Sequence, residues 1–412
     1  MTNLEILIQE LCPDGVEFRT MEEVFEIRNG YTPSKNNPDF WEGGTIPWFR
    51  MEDIRQNGRI LSDAIQHITP AAIKGKGLFP ANSIIIATTA TIGEHALVIA
   101  DSLANQQFTN LVVRKSLSAC LLPKFVFYYM FVIDEWCKKN VNAGNFASVD
   151  MKRFKKLEFP LPPIEVQTEI VRILDKFTSL EAELEAELDC RKRQYEYYRD
   201  KLLSFENVGG QEVEWKKMSE VGTFIRGNGL QKKDFTESGV GCIHYGQIYT
   251  KFNTFTDKTL TYCSENVARK LTPVHPGDLI IACTSENVED VCKTVAWLGK
   301  EDIVTGGHAC VFSHHENPKY IAYLLQTENF FQQKKKYARG VKVIDIKVAD
   351  LQKITLPIPS LEEQQRIVSI LDRFESLTTS LQSGFPAEIA ARRQQYEHYR
   401  DKLLTFKRKG AA

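Results

Sequence analysis

Phe159-Pro160-Leu161-Pro162-Pro163-Ile164-Glu165-Val166-Gln167 returns 197 residues later as Leu356-Pro357-Ile358-Pro359-Ser360-Leu361-Glu362-Glu363-Gln364. The match runs on through Ile170 to Phe177 against Ile367 to Phe374. It resumes with Gln194-Tyr195-Glu196-Tyr197-Tyr198-Arg199-Asp200-Lys201-Leu202-Leu203 against Gln395-Tyr396-Glu397-His398-Tyr399-Arg400-Asp401-Lys402-Leu403-Leu404. Upstream, Val16-Glu17-Phe18-Arg19-Thr20-Met21 answers Val213-Glu214-Trp215-Lys216-Lys217-Met218, and Pro80-Ala81-Asn82 sits near the place of Pro276-Gly277-Asp278. Self-similarity on this scale marks an internal duplication. Between these anchors the copies differ freely, most of all over Tyr31 to Leu78 against Leu230 to Val274. Two similar frames therefore carry two different surfaces.

The repeated ends of the units read as helices. After the Pro162-Pro163 and Pro359 start signals, apolar residues recur at helical spacing through Ile170, Ile173, Leu174, Phe177, Leu180 and Leu184, and again through Tyr195, Tyr198, Leu202 and Phe205. The spacing predicts a helix of roughly 40 residues, about 60 Å long. Its apolar stripe calls for a partner, and the natural one is the second copy, packed as a coiled coil. The second helix gains residues near Ser380 to Ala387, including Gly384 and Pro386, which predicts a break or kink near 384–386. The globular parts read as mixed α/β: Ser83 to Ala87, Leu279 to Ala282 and Leu111 to Val113 as buried strands, Pro123 to Ile133 and Pro318 to Phe331 as helices. The expected fold is thus α/β, with two globular domains separated by two long antiparallel helices in a pseudo-twofold duplication. The expected limits are 1–160 and 207–358 for the domains, and 161–206 and 359–412 for the helical regions. The chain begins at Leu4 to Val16 much as the second unit begins after Leu203, which predicts that its two ends lie close together.

Among 412 residues, 43% are hydrophobic and 25% charged, the balance of a folded protein with two or three cored domains. No apolar run is long enough to span a bilayer, and the start has no basic or apolar leader, so a cytoplasmic protein is expected. The nine cysteines include no Cys-x-x-Cys pair and no histidine at zinc-ligand spacing, and are expected to be reduced packing residues. The formal charge of -1 argues against a strongly basic nucleic-acid binder, so any such binding must be local.

Signatures of catalysis are missing. Asn317-Pro318-Lys319-Tyr320 approaches an amino-methyltransferase signature but lacks its second proline and an accompanying glycine-rich turn; an Asn cap followed by Pro explains it. Gly227-Asn228-Gly229 lacks the third glycine of a dinucleotide turn, no phosphate loop is present, and His314-His315-Glu316 reads as a polar loop. Residues able to touch DNA are more evident. Lys138-Lys139 and Lys335-Lys336 occupy equivalent places in the two copies, within a basic stretch that reaches Arg339 in the second; phosphate binding and favourable charge at a helix C-terminus both fit. Base-edge readers are sought on the divergent loops: Tyr31, Lys35, Arg50, Lys74, Lys76, Gln106 and Gln107 in the first copy, and Lys232, Lys233, His244, Tyr245, Gln247 and Lys293 in the second.

The helix start Leu161 to Asp175, repeated at Ile358 to Asp372, and the helix ends around Tyr195 and Tyr396 resemble the specificity subunits of type I restriction-modification systems, over nearly the whole chain. The resemblance implies two target recognition domains, each reading one half of a split, asymmetric DNA sequence. It also implies two modification subunits that use adenosylmethionine to methylate adenine, and two restriction subunits that use ATP and magnesium. The cofactors belong to those partners, none to this chain. It implies that the repeated helices dock the modification subunits, through Gln167, Ile170, Leu174, Phe177, Gln364, Ile367, Leu371 and Phe374, and set the spacer between half-sites. Glu181-Ala182-Glu183-Leu184 is followed by an identical block, Glu185-Ala186-Glu187-Leu188, and each such block adds about 6 Å of helix. Two other readings compete: an enzyme that methylates or cleaves DNA itself, and a coiled-coil adaptor that never reads DNA.

Overall fold

A computed structural model describes residues 3–75, 77–142, 147–205, 213–379 and 384–410. The chain divides into two compact units, residues 1–182 with 391–412, and residues 183–390. Each unit is built on the same central sheet. In the first, strands Phe25–Asn29, Phe108–Val113, Ser83–Ala87, His95–Val98 and Ile60–Leu61 lie side by side in that order. In the second the order is Gly222–Arg226, Ala309–His314, Leu279–Ala282, Thr294–Trp297 and Phe255–Thr256. All neighbours are antiparallel except the last pair, which is parallel in both.

The alternation of side chains along a strand explains why these central strands are apolar throughout. Ile84 and Ile86 enter the core on one face, against Phe125, Met130 and Ile133 of the helix Pro123–Lys139. Ile85 and Ala87 enter another core on the opposite face, with Trp48, Phe49 and Phe79. In the second unit Leu279 and Ile281 face Tyr320, Tyr323 and Phe330, while Ile280 and Ala282 face Ile243, Ile248 and Trp297. Each unit is therefore a sheet with helices on one side and a smaller β layer on the other.

That smaller layer is where the copies part. In the first unit it has three strands, Ile46–Phe49 between His67–Ile68 and Leu103–Ala104. In the second it has five, with Phe235–Thr236 and Thr272–Val274 added at its edges. The free divergence of Tyr31 to Leu78 against Leu230 to Val274 thus falls mostly on this layer, with only the edge strands Ile60–Leu61 and Phe255–Thr256 of the shared sheet inside it.

The central helix spans Ile164–Ser204, 41 residues. In the first unit its Ile170 and Leu174 pack with Leu404 and the partly buried Tyr396, Leu403 and Phe406 from the far end of the last helix. In the second unit its Tyr195 and Leu203 pack with Ile367 and Leu371 of the helix Leu361–Thr379. Within each unit the packed segments are antiparallel. The last helix runs over Gly384–Leu403. Gly384 has φ +79°, and a Cβ there would lie 2.6 Å from the carbonyl oxygen of Leu377. Pro386 falls in its first turn, where a missing N–H is tolerated. The chain ends meet in the first unit: Val16 N donates to Lys407 O at 2.8 Å and Lys409 N to Val16 O at 2.9 Å, and Arg408 pairs with Glu158.

Two expected helices have different limits. Pro123 to Ile133 extends to Lys139. Pro318 to Phe331 is two helices, Pro318–Leu324 and Glu328–Lys335, because Thr327 Oγ1 donates to Leu324 O at 2.7 Å and accepts from Phe330 N at 3.3 Å, closing one and capping the next. Asn317 caps the first of them, accepting from Lys319 N and Tyr320 N. All nine cysteines are free thiols, seven of them buried.

His314 ends a strand instead of lying in a loop. Burial pushes its pKa down to about 4, against the pull of Asp278 and Glu316; Nδ1 accepts from Glu316 N at 3.2 Å and Nε2 is buried without a partner. The folded pKa lies below the unfolded value of about 6.5, so the folded state binds fewer protons in between. Stability is whole above about 6.5 and is lost as pH falls toward 4, by roughly 2–3 kcal/mol. Urea unfolding of the protein and of His314→Gln at neutral pH and near pH 5 is expected to show a smaller acid loss in the variant; equal losses refute the assignment.

Candidate nucleic-acid interface

The strand ends of the central sheet gather polar groups at one place in each unit. In the first, Thr109 Oγ1 meets Asn29 Oδ1 at 3.0 Å and Thr88 Oγ1 at 2.8 Å, and Thr88 N donates to Gln107 O at 3.0 Å. Val149 N donates to Thr88 O at 2.9 Å, which ties the strand pair Val141–Asn142 and Ser148–Val149 to this end. Tyr31 N donates to Ala104 O at 2.9 Å, and a Cβ on Gly30 would lie 2.3 Å from that same oxygen. Only glycine allows the chain to leave the sheet so close to its neighbour.

The second unit repeats the plan with other side chains. Gly227 stands where Gly30 does, and a Cβ there would lie 1.9 Å from Gly306 O. Cys283 N donates to His308 O at 2.7 Å, Thr284 Oγ1 contacts His308 Nδ1 at 3.1 Å, and Tyr249 OH donates to Thr284 O at 2.8 Å. Ile344–Asp345 pairs with Thr284–Ser285 as the hairpin does in the first unit. Here a cleft of ≈ 530 Å³ opens, lined by Tyr245, Tyr249, Thr284, Glu286, His308 and Val343 among others. Burial, then the neighbouring Lys232 and His308, push the His244 pKa down, so its ring is neutral; Nδ1 accepts from Gly246 N at 3.2 Å, which leaves Nε2–H as a donor.

A second repeated feature fastens each long helix to its domain. Gln167 Oε1 accepts from Leu122 N at 2.9 Å, while its Nε2 donates to Cys120 O and Pro162 O, both at 2.7 Å. Gln364 does the same with Asn317 N, Glu316 and Pro359 O. Asp175 takes Lys124 and Tyr128, each at 2.6 Å, and Asp372 takes Lys319 at 2.6 Å and Tyr323 at 2.7 Å. No group of three or more His, Cys, Asp or Glu side chains able to hold a metal occurs among the described residues, and no helix among them is long and apolar enough to cross a membrane.

The family model of the type I restriction modification DNA specificity domain matches residues 13–189 and again 211–391. The chain belongs to this family. It is 39% identical over 403 residues, 92% of each chain, to the EcoprrI specificity subunit of Escherichia coli, a type I restriction enzyme subunit. It is 35% identical over 302 residues, 69% of this chain and 71% of the relative, to the EcoR124I/EcoR124II specificity subunit of Escherichia coli. Its fold matches a chain of a solved type I R-M system, from work on complex assembly and conformational transition, with TM-score 0.62 over 95% of this chain and 97% of the other, at 17% identity.

As a specificity subunit, this is a DNA sequence-recognition chain. Its sequence-predicted DNA residues fall into two groups. Lys35, Lys74, Gln106, Lys138, Lys139, Lys232, Lys233, Lys335, Lys336 and Arg339 are exposed, with Gln106 bonded to Thr32, Lys138 paired with Glu135 and Arg339 with Asp350. The others are half-buried and engaged within their unit. Tyr31 OH donates to Ala72 O and accepts from Lys74 N; Arg50 pairs with Glu52; Gln107 accepts from Asn105; Gln247 Oε1 accepts from His244 N; Lys293 Nζ donates to Tyr249 O. Tyr245 stacks beside His308 with ring centres 4.9 Å apart. Lys334, in the same basic stretch, is buried and donates to Glu289 O and Val291 O, so it offers nothing to a ligand. Lys76 lies outside the described residues.

The docking residues of the specificity subunit need correction. Gln167, Ile170, Leu174, Gln364, Ile367 and Leu371 are buried in their own unit, so no partner can touch them. Phe177 is half-covered by Tyr396 and Tyr399, and Phe374 stacks on Tyr198. A repeat signal records any constraint both copies share, and here that constraint is internal fastening. Leu180, Tyr197, Leu361 and Leu377 are exposed on the helices. Of the residues that sequence reasoning passed over, Asn29, Thr88, Thr109, Thr284 and His308 sit at or beside strand ends, and Tyr249 lies in the helix Tyr245–Thr250. Only the polar residues inside apolar runs, such as Thr109 in Phe108–Val113, gave a signal.

Proposed function

We propose that the first unit reads one half of a split, asymmetric duplex target and the second unit the other. The single observation that supports this most is the division within each unit, with a shared sheet and helix lock beneath a β layer that differs between copies. Shared parts suit a common partner; differing parts suit different base sequences, since sequence is read at base edges. On this reading the helices set the spacer and carry two modification subunits on their exposed residues, and two restriction subunits complete the assembly. Adenosylmethionine-dependent methylation, and cleavage driven by ATP with magnesium, belong to those partners, while this chain binds no cofactor and works in the cytoplasm on genomic DNA. The exposed lysines at 138–139 and 335–336 supply phosphate contacts, compatible with the overall charge of -1 because they are local.

The test is to co-express the chain with its modification subunit and map methylated adenines across the host genome. A split motif is expected, and exchanging residues 31–78 for those of another specificity subunit should change one half only. A stable complex with no motif would leave a protein adaptor, and change in both halves would end the division of labour.

A further inference from the structure

The hairpin beside the second unit's cleft carries an apolar side chain that nothing covers. Arg339 and Asp345 bridge its stem, Arg339 N donating to Asp345 O at 3.1 Å and Asp345 N to Arg339 O at 2.8 Å. The stem is anchored to the central sheet by the pairing of Ile344 and Asp345 with Ser285 and Thr284, and by Ile346 N donating to Cys283 O at 3.0 Å. Gly340 turns the chain with φ +116°, and a Cβ there would lie 1.9 Å from Val343 O, so the turn requires glycine. A fixed stem therefore presents Val341 at 95% exposure, with Lys342 exposed beside it.

One exposed valine alone means little. Three further facts make this one a contact. Its neighbours Lys342 and Lys347 are exposed cations, and Arg339, also exposed, pairs with Asp350, so the tip suits a polyanion. Val343, two residues on, lines the cleft with Tyr245 and His308, so tip and cleft form one continuous surface. Valine has no polar atom to spend on phosphate and one stiff side-chain torsion, so it loses little freedom on contact. The major groove admits a two-stranded ribbon, and its floor bears one apolar group, the thymine C5-methyl.

Building on the DNA-reading role above, we propose that Val341 contacts the 5-methyl group of a thymine in the half-site read by the second unit, with Lys342 on a nearby phosphate. The complex with the modification subunit is titrated with duplexes in which each thymine of that half-site is replaced in turn by uracil, which lacks the methyl. The wild type is expected to lose about fourfold in affinity at one position, the factor for burying one methyl group. Val341→Ser, which carries no methyl group and is too exposed to disturb folding, is expected to bind the thymine and uracil duplexes equally. Lys342→Ala should weaken all duplexes alike and reduce the salt slope by about one.

A half-site without thymine, no sensitive position, or a Val341→Ser complex that keeps the discrimination would each overturn the assignment while the split motif stands. A Val341→Ser chain that holds the modification subunit less well with its motif unchanged would give the tip to a protein partner instead. Absence of any motif in the wild type would overturn the DNA-reading role, and this contact with it.

Discussion

Deleting Glu185 to Leu188 is expected to abolish methylation at the native target and to create it at a target whose spacer is shorter by about two base pairs. The block is one of two identical tetrads and lies inside the uninterrupted helix Ile164–Ser204. Four residues remove about 6 Å of helix and just over one turn, against about 3.4 Å per base pair of duplex. None of Glu181 to Leu188 is buried, so the loss of the block opens no core. Glu181 of the first tetrad, which pairs with Arg393 of the last helix, lies outside the deleted residues. Each half-site should remain unchanged, since its reading domain is untouched. Genome-wide mapping of methylated adenine, alongside binding to duplexes of graded spacer length, checks this. Unaltered spacer preference in a complex that still binds would show that the helix does not set the distance.

Replacing Gln167 by leucine is expected to destabilise the first unit by about 2–4 kcal/mol, with a fall of roughly 5–15 °C in its unfolding midpoint. The side chain is fully buried and makes three hydrogen bonds, one accepted from Leu122 N and two donated to Cys120 O and Pro162 O. Leucine fills the space but leaves those backbone groups unpaired, Pro162 O fully buried and the other two partly so, and the penalty adds to the loss of the bonds themselves. Gln364→Leu should act likewise on the second unit, through Asn317 N, Glu316 and Pro359 O. Gln167→Glu keeps the acceptor but sets a carboxylate oxygen against the carbonyls of Cys120 and Pro162, and should cost at least as much. Thermal unfolding followed by hydrogen exchange assigns the loss to a unit. A Gln167→Leu chain as stable as the parent, yet unable to hold the modification subunit, would restore Gln167 to the docking surface.

The sequence by itself determined the duplicated frame. Ser83 to Ala87 and Leu279 to Ala282 were legible as strands because a central strand buried on both faces must be apolar throughout, and the long helix because its stripe repeats at 3.6 residues after a proline start. The cap at Asn317 and the nearness of the two chain ends were legible for similarly local reasons. Which residues the repeat protects was not legible. Gln167 and Gln364 carry the same signal whether they face a partner or their own domain, and only packing shows that they reach across to Leu122 and Asn317, 45 and 47 residues away. The candidate site was legible as a region and not as a set of residues. Exposed lysines were found because charge stays in water, whereas Thr88, Thr109 and His308 meet through hydrogen bonds between distant strands that no local pattern records. The break at Thr327, the five-stranded layer of the second unit and the tip at Val341 likewise depend on which chain segments become neighbours, and that is decided by tertiary structure alone.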